Sequence, residues 1–284
     1  MRILITGSSG MLGRELAERL HPAHELILRD IDGLDVRDAS AVYGEIKRLS
    51  PEVVINCAAA TDVDWCEYYP EQAFAVNAEG ARNIAEACAV TGALMCHLST
   101  DYVFDGSATR PYTEQDIPHP ISVYGRSKLA GERYVREIVS RHIIVRTSWL
   151  YGVYGKNFIE TILRLSETRH ELRVVNDQTG SPTYAEDLAW VIEQLVTLPA
   201  PYGTYHVCNT GICTWHDFAV AALSLAGRQT AVVPITTEEL GRAAPRPRFS
   251  VLDNAHVSAT LGITLRHWCD ALTAYMYKRK GVYR

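Results

Sequence analysis

Ile3-Leu4-Ile5-Thr6-Gly7-Ser8-Ser9-Gly10-Met11-Leu12-Gly13 decides the fold. An apolar run of strand length meets glycines at G-x-x-G-x-x-G spacing, and a helical pattern over residues 11–20 follows at once. Glycine there permits a tight turn, lets backbone amides approach a pyrophosphate and lets the helix pack against the strand. The helix N-terminus then turns its positive dipole end toward the phosphates. The stretch therefore predicts a βα unit that cradles a dinucleotide at Gly7 and Gly10; its bland alternative is an ordinary βα turn.

Working outward, residues 3–6, 26–28, 53–56, 94–99 and 143–147 read as buried strands. Their near-continuous apolar character suits a parallel sheet covered on both faces. Between them, residues 11–20, 39–49, 70–91 and 123–139 read as helices. This alternation predicts an α/β fold, a doubly wound parallel sheet of Rossmann-like type. After Arg146 the rhythm loosens: helices at 158–168, 186–197, 214–226 and 266–280, strands at 172–175 and 205–208, and Pro234, Pro245 and Pro247 punctuating a stretch with few long elements. We expect a dinucleotide-binding domain over 1–150, its sheet completed by parts of 176–210. Residues 151–284 are expected to form mainly a smaller, interleaved C-terminal substrate domain.

The chain has 284 residues, 47% of them hydrophobic, enough for a large core in one or two domains. A net charge of −5 argues against nucleic-acid binding. The basic run Lys278-Arg279-Lys280 reads as a solvated helix end. No apolar stretch is long enough to span a membrane, and the apolar start is too short for a signal peptide. The seven cysteines are scattered without a C-x-x-C pair, which reads as reduced thiols of a cytoplasmic protein. His97, His119, His206 and His216 show no metal spacing, so no metal is expected; His216 beside Asp217 reads as part of a helix cap.

Several strand ends carry chemistry. Leu28-Arg29-Asp30 offers an acid for the ribose hydroxyls of an adenosine and, next to it, a cation for the extra phosphate of NADPH, two signals that conflict. Asp35-Val36 lies where an adenine would sit, or is a capping acid. The small residues of Ala58-Ala59-Ala60-Thr61 leave room for a flat ligand or allow close packing. Thr100, at the end of the fourth strand, can polarise a carbonyl or cap a turn. In Tyr124-Gly-Arg-Ser-Lys128 the phenol and the ammonium share one helix face. The ammonium is expected to pull the phenol's pKa down, making Tyr124 a proton donor to a carbonyl.

Taken together, these stretches resemble an extended short-chain dehydrogenase/reductase, and within it the dTDP-4-dehydrorhamnose reductase family. The resemblance runs through Ser99-Thr100-Asp101-Tyr102-Val103-Phe104, Tyr124–Glu132, Arg146-Thr147-Ser148-Trp149, Asp177–Thr183, Tyr205-His206, Trp215–Ala219 and Arg246–Ser250. It implies reduction of the C4 ketone of dTDP-4-dehydro-6-deoxy-L-mannose by NADPH or NADH, giving dTDP-L-rhamnose for cell-wall polysaccharide. It implies a catalytic triad of Thr100, Tyr124 and Lys128. Asp101 and Trp149, with Thr100, would contact the dTDP-sugar. Gly7, Gly10, Met11, Leu12, Asp30, Asp35, Val36, Ala58, Ala59, Thr61, Tyr124 and Lys128 would line the cofactor site. No nucleic-acid or membrane partner is implied, and a homodimer is the assembly to test. The chain departs from the family pattern at Met11, at Lys156 before Asn157, and at Trp65. A reductase or epimerase of another nucleotide sugar, and an NADP-binding regulatory subunit, are the competing readings.

Overall fold

The apolar runs and their intervening helices alternate along the chain as β1 (Arg2–Thr6), α1 (Met11–Leu20), β2 (Glu25–Arg29), α2 (Ala39–Leu49), β3 (Val53–Asn56), α3 (Val63–Tyr68), α4 (Pro70–Phe74), a π-helical turn (Ala75–Glu79), α5 (Gly80–Thr91), β4 (Leu94–Thr100), a 3₁₀ turn (Asp101–Val103), α6 (Val123–Ile138) and β5 (His142–Thr147). There follow β6 (Leu150–Tyr151), α7 (Phe158–Ser166), β7 (Glu171–Val175), β8 (Thr179–Gly180), β9 (Thr183–Tyr184), α8 (Ala185–Thr197), β10 (Gly203–His206), β11 (Cys213–Thr214), α9 (Trp215–Leu225), β12 (Ala231–Ile235), α10 (Thr237–Leu240), α11 (Ala255–Leu261) and α12 (Trp268–Val282). This computed structural model describes residues 1–282.

Six strands form the main sheet in the order β10-β5-β4-β3-β1-β2, every pair parallel. Ile3, Leu4 and Ile5 are fully buried, because helices cover both faces. One face packs Ile3, Ile5 and Ile55 with Leu16 of α1 and Leu188 and Ile192 of α8. The other packs Leu4, Val54 and Ile144 with Val42 of α2, Ile84 of α5 and Val135 of α6. β1 has β2 on one side and β3 on the other, so the crossovers leave it in opposite directions. A crevice opens at the carboxyl ends of the strands at such a switch point. The C-terminal elements build a separate core rich in aromatic rings, among them Tyr151, Phe218, Trp268 and Tyr275.

Local chemistry sets the helix ends. Asp38, Ser122 and Asn157 cap α2, α6 and α7 by accepting backbone N–H bonds. Thr214 and Asp217 form a reciprocal capping box on α9, so the cap belongs to them, while His216 reaches the Val232 carbonyl at 3.2 Å. The helix predicted over 70–91 is interrupted: the π-helical turn at Ala75–Glu79 swings Asn77 inward. There Asn77 accepts from the Ala60 N–H at 2.8 Å and donates to the Ala60 carbonyl and to the Ser127 hydroxyl. That bulge ties the loop after β3 to α6, the usual setting of such turns being a site that needs one side chain re-aimed. Pro234 lies inside β12, which pairs with β7 in a two-stranded sheet, where an edge tolerates a missing N–H. The Lys278-Arg279-Lys280 run is more engaged than a solvated end: Lys278 bridges Glu15 and Glu186, and Arg279 bridges Glu160.

Candidate active site

The glycine turn is built by close backbone approach. Gly7 has φ +65°, and a Cβ there would lie 2.7 Å from the Ala58 nitrogen. A Cβ on Gly13 would lie 2.4 Å from the Gly7 carbonyl oxygen, so α1 can start this close to β1 only with glycine at that point. Gly10 is the N-cap of α1 and makes no side-chain cap, which leaves the helix's first amides to face the crevice. Behind the turn, Thr6 donates to Asn56 at 2.7 Å, and the same Asn56 oxygen accepts from the Ala58 N–H at 3.2 Å. The Asn56 amide donates to the Nδ1 atom of His97. Burial holds His97 well below its ordinary range, so it is a neutral acceptor in a polar chain beneath the turn.

From this turn runs a cleft of about 930 Å³. Every site residue singled out in the sequence lines it: Gly7, Gly10, Met11, Leu12, Asp30, Asp35, Val36, Ala58, Ala59, Thr61, Thr100, Asp101, Tyr124, Lys128 and Trp149. Asp30 accepts from the Ser9 N–H at 2.8 Å, and Asp35 pairs with Arg37. The capping acid of α2 is Asp38, not Asp35. Arg29 is drawn away from the cleft into an ion pair with Glu45 at 2.6 Å.

Tyr124 and Lys128 lie one turn apart on α6, and both face the cleft. The Tyr124 phenol is hydrogen-bonded to the Thr100 hydroxyl, which donates to Asp101 at 3.0 Å and accepts from the Tyr102 N–H at 3.2 Å. The lowering of the Tyr124 pKa expected from the sequence does not occur. Burial pushes the phenol above its ordinary range, the Thr100 hydrogen bond only partly offsets this, and Lys128 is not among the groups that act on it. Burial instead acts on Lys128 itself, pulling its ammonium down to about 8 against the opposing charge of Glu132. Asp101 is pushed up to about 6 by burial, with the Ser250 and Thr100 hydroxyls opposing. At this point the cleft thus presents a protonated phenol, a hydroxyl and a nearby cation, a set suited to giving a proton to an oxygen.

Behind them Glu132, fully buried, accepts from Ser99 at 2.5 Å, from Arg146 at 2.9 and 2.7 Å, and from Arg136 at 2.5 Å. This network locks α6, β4 and β5 together directly under Thr100 and Lys128.

At the far end Trp149 adopts φ +49°, a left-handed conformation rare outside glycine, and its ring stacks on Trp215 at 3.7 Å between centroids. Trp215 also lines the cleft, as do Tyr102, edge-on to the Tyr124 ring at 5.6 Å, and the exposed Lys156. Trp215 and Tyr102 were not picked out in the sequence as site residues: one looks like a helix start and the other like a turn residue, and only the fold brings them in. Gly180 underlies Trp149, where a Cβ would lie 2.5 Å from the indole ring. Gly180→Ala is therefore expected to displace the ring and to cost about 1–3 kcal/mol in urea unfolding; stability equal to that of the unmodified chain would contradict this contact.

Comparison with known proteins fits this architecture. The RmlD substrate binding domain family matches residues 1–280. A dTDP-4-dehydrorhamnose reductase of Streptomyces griseus is 45% identical over 282 residues, covering 96% of this chain and 92% of that protein. The crystal structure of a dTDP-4-dehydrorhamnose reductase from Clostridium acetobutylicum superposes with a TM-score of 0.96 at 44% identity, covering 99% of this chain and all (100%) of that one. The dTDP-4-dehydrorhamnose reductase of Bacillus anthracis, solved in complex with NADP, superposes with a TM-score of 0.95 at 42% identity over 98% of this chain and 99% of that one. A Rossmann-like sheet with this cleft, matched over almost its whole length, places the chain in the RmlD substrate binding domain family, alongside proteins named dTDP-4-dehydrorhamnose reductase.

Proposed function

We propose that the protein is an NAD(P)H-dependent oxidoreductase that reduces the C4 ketone of dTDP-4-dehydro-6-deoxy-L-mannose to give dTDP-L-rhamnose. One observation carries the reading: the Tyr124 phenol, the Thr100 hydroxyl and the Lys128 ammonium converge on the cleft that begins at the glycine turn. The fit of a dinucleotide rests on that turn, where a side chain at Gly7 or Gly13 would collide with the backbone segments that shape it, and on the uncapped amides at the start of α1. Bound there, the nicotinamide supplies the hydride that reduces the ketone carbon. The chain's own residues do the rest. Thr100 hydrogen-bonds the ketone oxygen, and Tyr124 gives it the proton as the alcohol forms. Lys128 holds the nicotinamide ribose, and Asp30 the adenosine ribose. Asp35 and Val36 flank the adenine; Met11, Leu12, Ala58, Ala59 and Thr61 wall the site. Asp101 and Trp149 orient the sugar nucleotide, with Trp215 backing Trp149 and Lys156 offering a cation to the diphosphate at the lip.

In this reading residues 1–150 with β10 serve the dinucleotide, and 151–284 serve mainly the sugar nucleotide. A cytoplasmic location and a homodimer complete it, tested by fractionation and by sedimentation. The reaction itself is tested by mixing the protein with NADH or NADPH and a panel of dTDP-, UDP- and GDP-linked 4-ketosugars. Loss of dihydronicotinamide absorbance with the dTDP-4-ketosugar, and a rhamnosyl product by NMR, are expected. Turnover on another nucleotide sugar alone would overturn the substrate assignment.

The Lys128 role has a pH signature. Its ammonium, pulled down to about 8 by burial with Glu132 opposing and Cys57 and His97 as its other titratable neighbours, is charged below that pH and discharges above it. Cofactor affinity should therefore weaken as pH rises past about 8. A dissociation constant that stays flat across this range, measured by fluorescence titration, would remove Lys128 from cofactor binding.

A further inference from the structure

Beside the cleft, at the carboxyl end of β2, lies a second recess of about 610 Å³ lined by Ser8, Ser9, Arg29, Asp30, Gly33 and Glu45, among others. It shares Ser9 and Asp30 with the cleft, so it opens where the hydroxyls of the adenosine ribose point in the reading above, on which this inference rests. Asp30 is fixed there by two backbone donors, the Ser9 and Ile31 N–H groups, each at 2.8 Å. A carboxylate held in this way accepts from a ribose 2′-hydroxyl and repels a 2′-phosphate.

Among the described residues, the one cation that lines this recess is Arg29, and it is already engaged. Arg29 gives its Nε and one terminal nitrogen to the same Glu45 oxygen, at 2.9 and 2.6 Å, and its other terminal nitrogen to the Leu28 carbonyl at 2.9 Å. Its stem runs beneath Gly33, where a Cβ would lie 3.5 Å from the Arg29 Cδ atom. The second Glu45 oxygen takes Arg48, at 3.1 and 2.7 Å. Arg48 and Arg29 together keep that carboxyl below its usual range, so it stays charged. One carboxylate on α2, lining a recess that also holds Asp30 and Asp32, thus occupies the guanidinium groups of both Arg29 and Arg48.

We propose that Glu45 determines cofactor preference by holding Arg29 out of reach of a 2′-phosphate, so that the chain favours NADH over NADPH. Arg29 is a latent phosphate ligand: without Glu45 its planar fork is free to turn across the recess toward a phosphate monoester.

The test is a fluorescence titration of NADH and NADPH, in parallel and at one ionic strength, against the unmodified chain, Glu45→Ala, Glu45→Gln and the double variant Arg29→Ala/Glu45→Ala. The unmodified chain should bind NADH more tightly. In Glu45→Ala the ratio of the NADPH to the NADH dissociation constant should fall by about 10-fold, the scale of one charge-assisted contact to phosphate. Glu45→Gln should move it the same way by less, and the double variant should return it toward the starting value. Salt should weaken NADPH binding more steeply in Glu45→Ala than in the unmodified chain. Tighter NADPH binding by the unmodified chain, an unchanged ratio in both single variants, or a gain that survives loss of Arg29 would each overturn the inference while leaving the dinucleotide site intact. Binding of neither cofactor would overturn the dinucleotide reading and this inference with it.

Discussion

Tyr124→Phe should reduce the ketosugar about 10²–10⁴-fold more slowly while binding the cofactor almost normally. In energy this is about 3–5 kcal/mol lost from transition-state stabilisation. The substitution removes only the hydroxyl. The ring keeps its edge-on contact with Tyr102, so folding and cleft shape should persist. What is lost is the proton that the nascent alkoxide needs, in a pocket where burial holds the phenol protonated far above neutrality. Thr100 cannot replace it, because an aliphatic hydroxyl is a far weaker acid than a phenol and serves only as a hydrogen-bond donor to the ketone oxygen. Single-turnover kinetics with saturating cofactor would show the loss in the chemical step. A rate within about 10-fold of the unmodified chain would take the proton-donor role away from Tyr124.

Arg146→Leu should be the most damaging substitution for stability, at about 3–5 kcal/mol. Arg146 is 1% exposed and holds both oxygens of Glu132, which is fully buried. Burial alone would push the Glu132 carboxyl up; Arg146, with Arg136 and Ser99, overcomes this and leaves it at about 2. Removing Arg146 strands a carboxylate in the core beside Arg136 and Ser99. Removing both partners, in Glu132→Leu/Arg146→Leu, should recover part of the loss, since no unpaired charge is then buried. Urea unfolding measures both; a single variant that costs under about 1 kcal/mol would contradict the account. The sign with pH follows. The folded-state pKa lies below the unfolded value, so the stabilisation is present above about 4.5 and is lost as pH falls toward about 2.

The sheet was legible because its signals are local. The apolar run of β1, the glycines after it and the helical pattern of α1 all act between Arg2 and Leu20, and the predicted bounds of α1, α2 and β3 coincide with those observed. The cleft lining was legible for a related reason: strand ends and a helix face follow once the order of elements is known. Four things were not. The bulge at Asn77 satisfies partners 17 and 50 residues away, which no periodicity encodes. Trp215 reaches Trp149 only because both, 66 residues apart in sequence, pack against the one C-terminal core. The Arg29–Glu45 pair joins β2 to α2 through side chains whose spacing carries no motif. The direction of the Tyr124 shift was misread because proximity of charge was weighed and burial was not.

The π-helical turn at Ala75–Glu79 has a further consequence. Such a bulge holds one residue more than the regular helix needs, so dropping one would leave a smoother cylinder and a locally more comfortable backbone. It would also retract Asn77 and release the loop after β3 from α6. Hardness and usefulness point opposite ways at this one spot. Breeding the protein for heat tolerance alone would be free to iron the kink flat, and the product would be a sturdier molecule with a slack floor under its ligand.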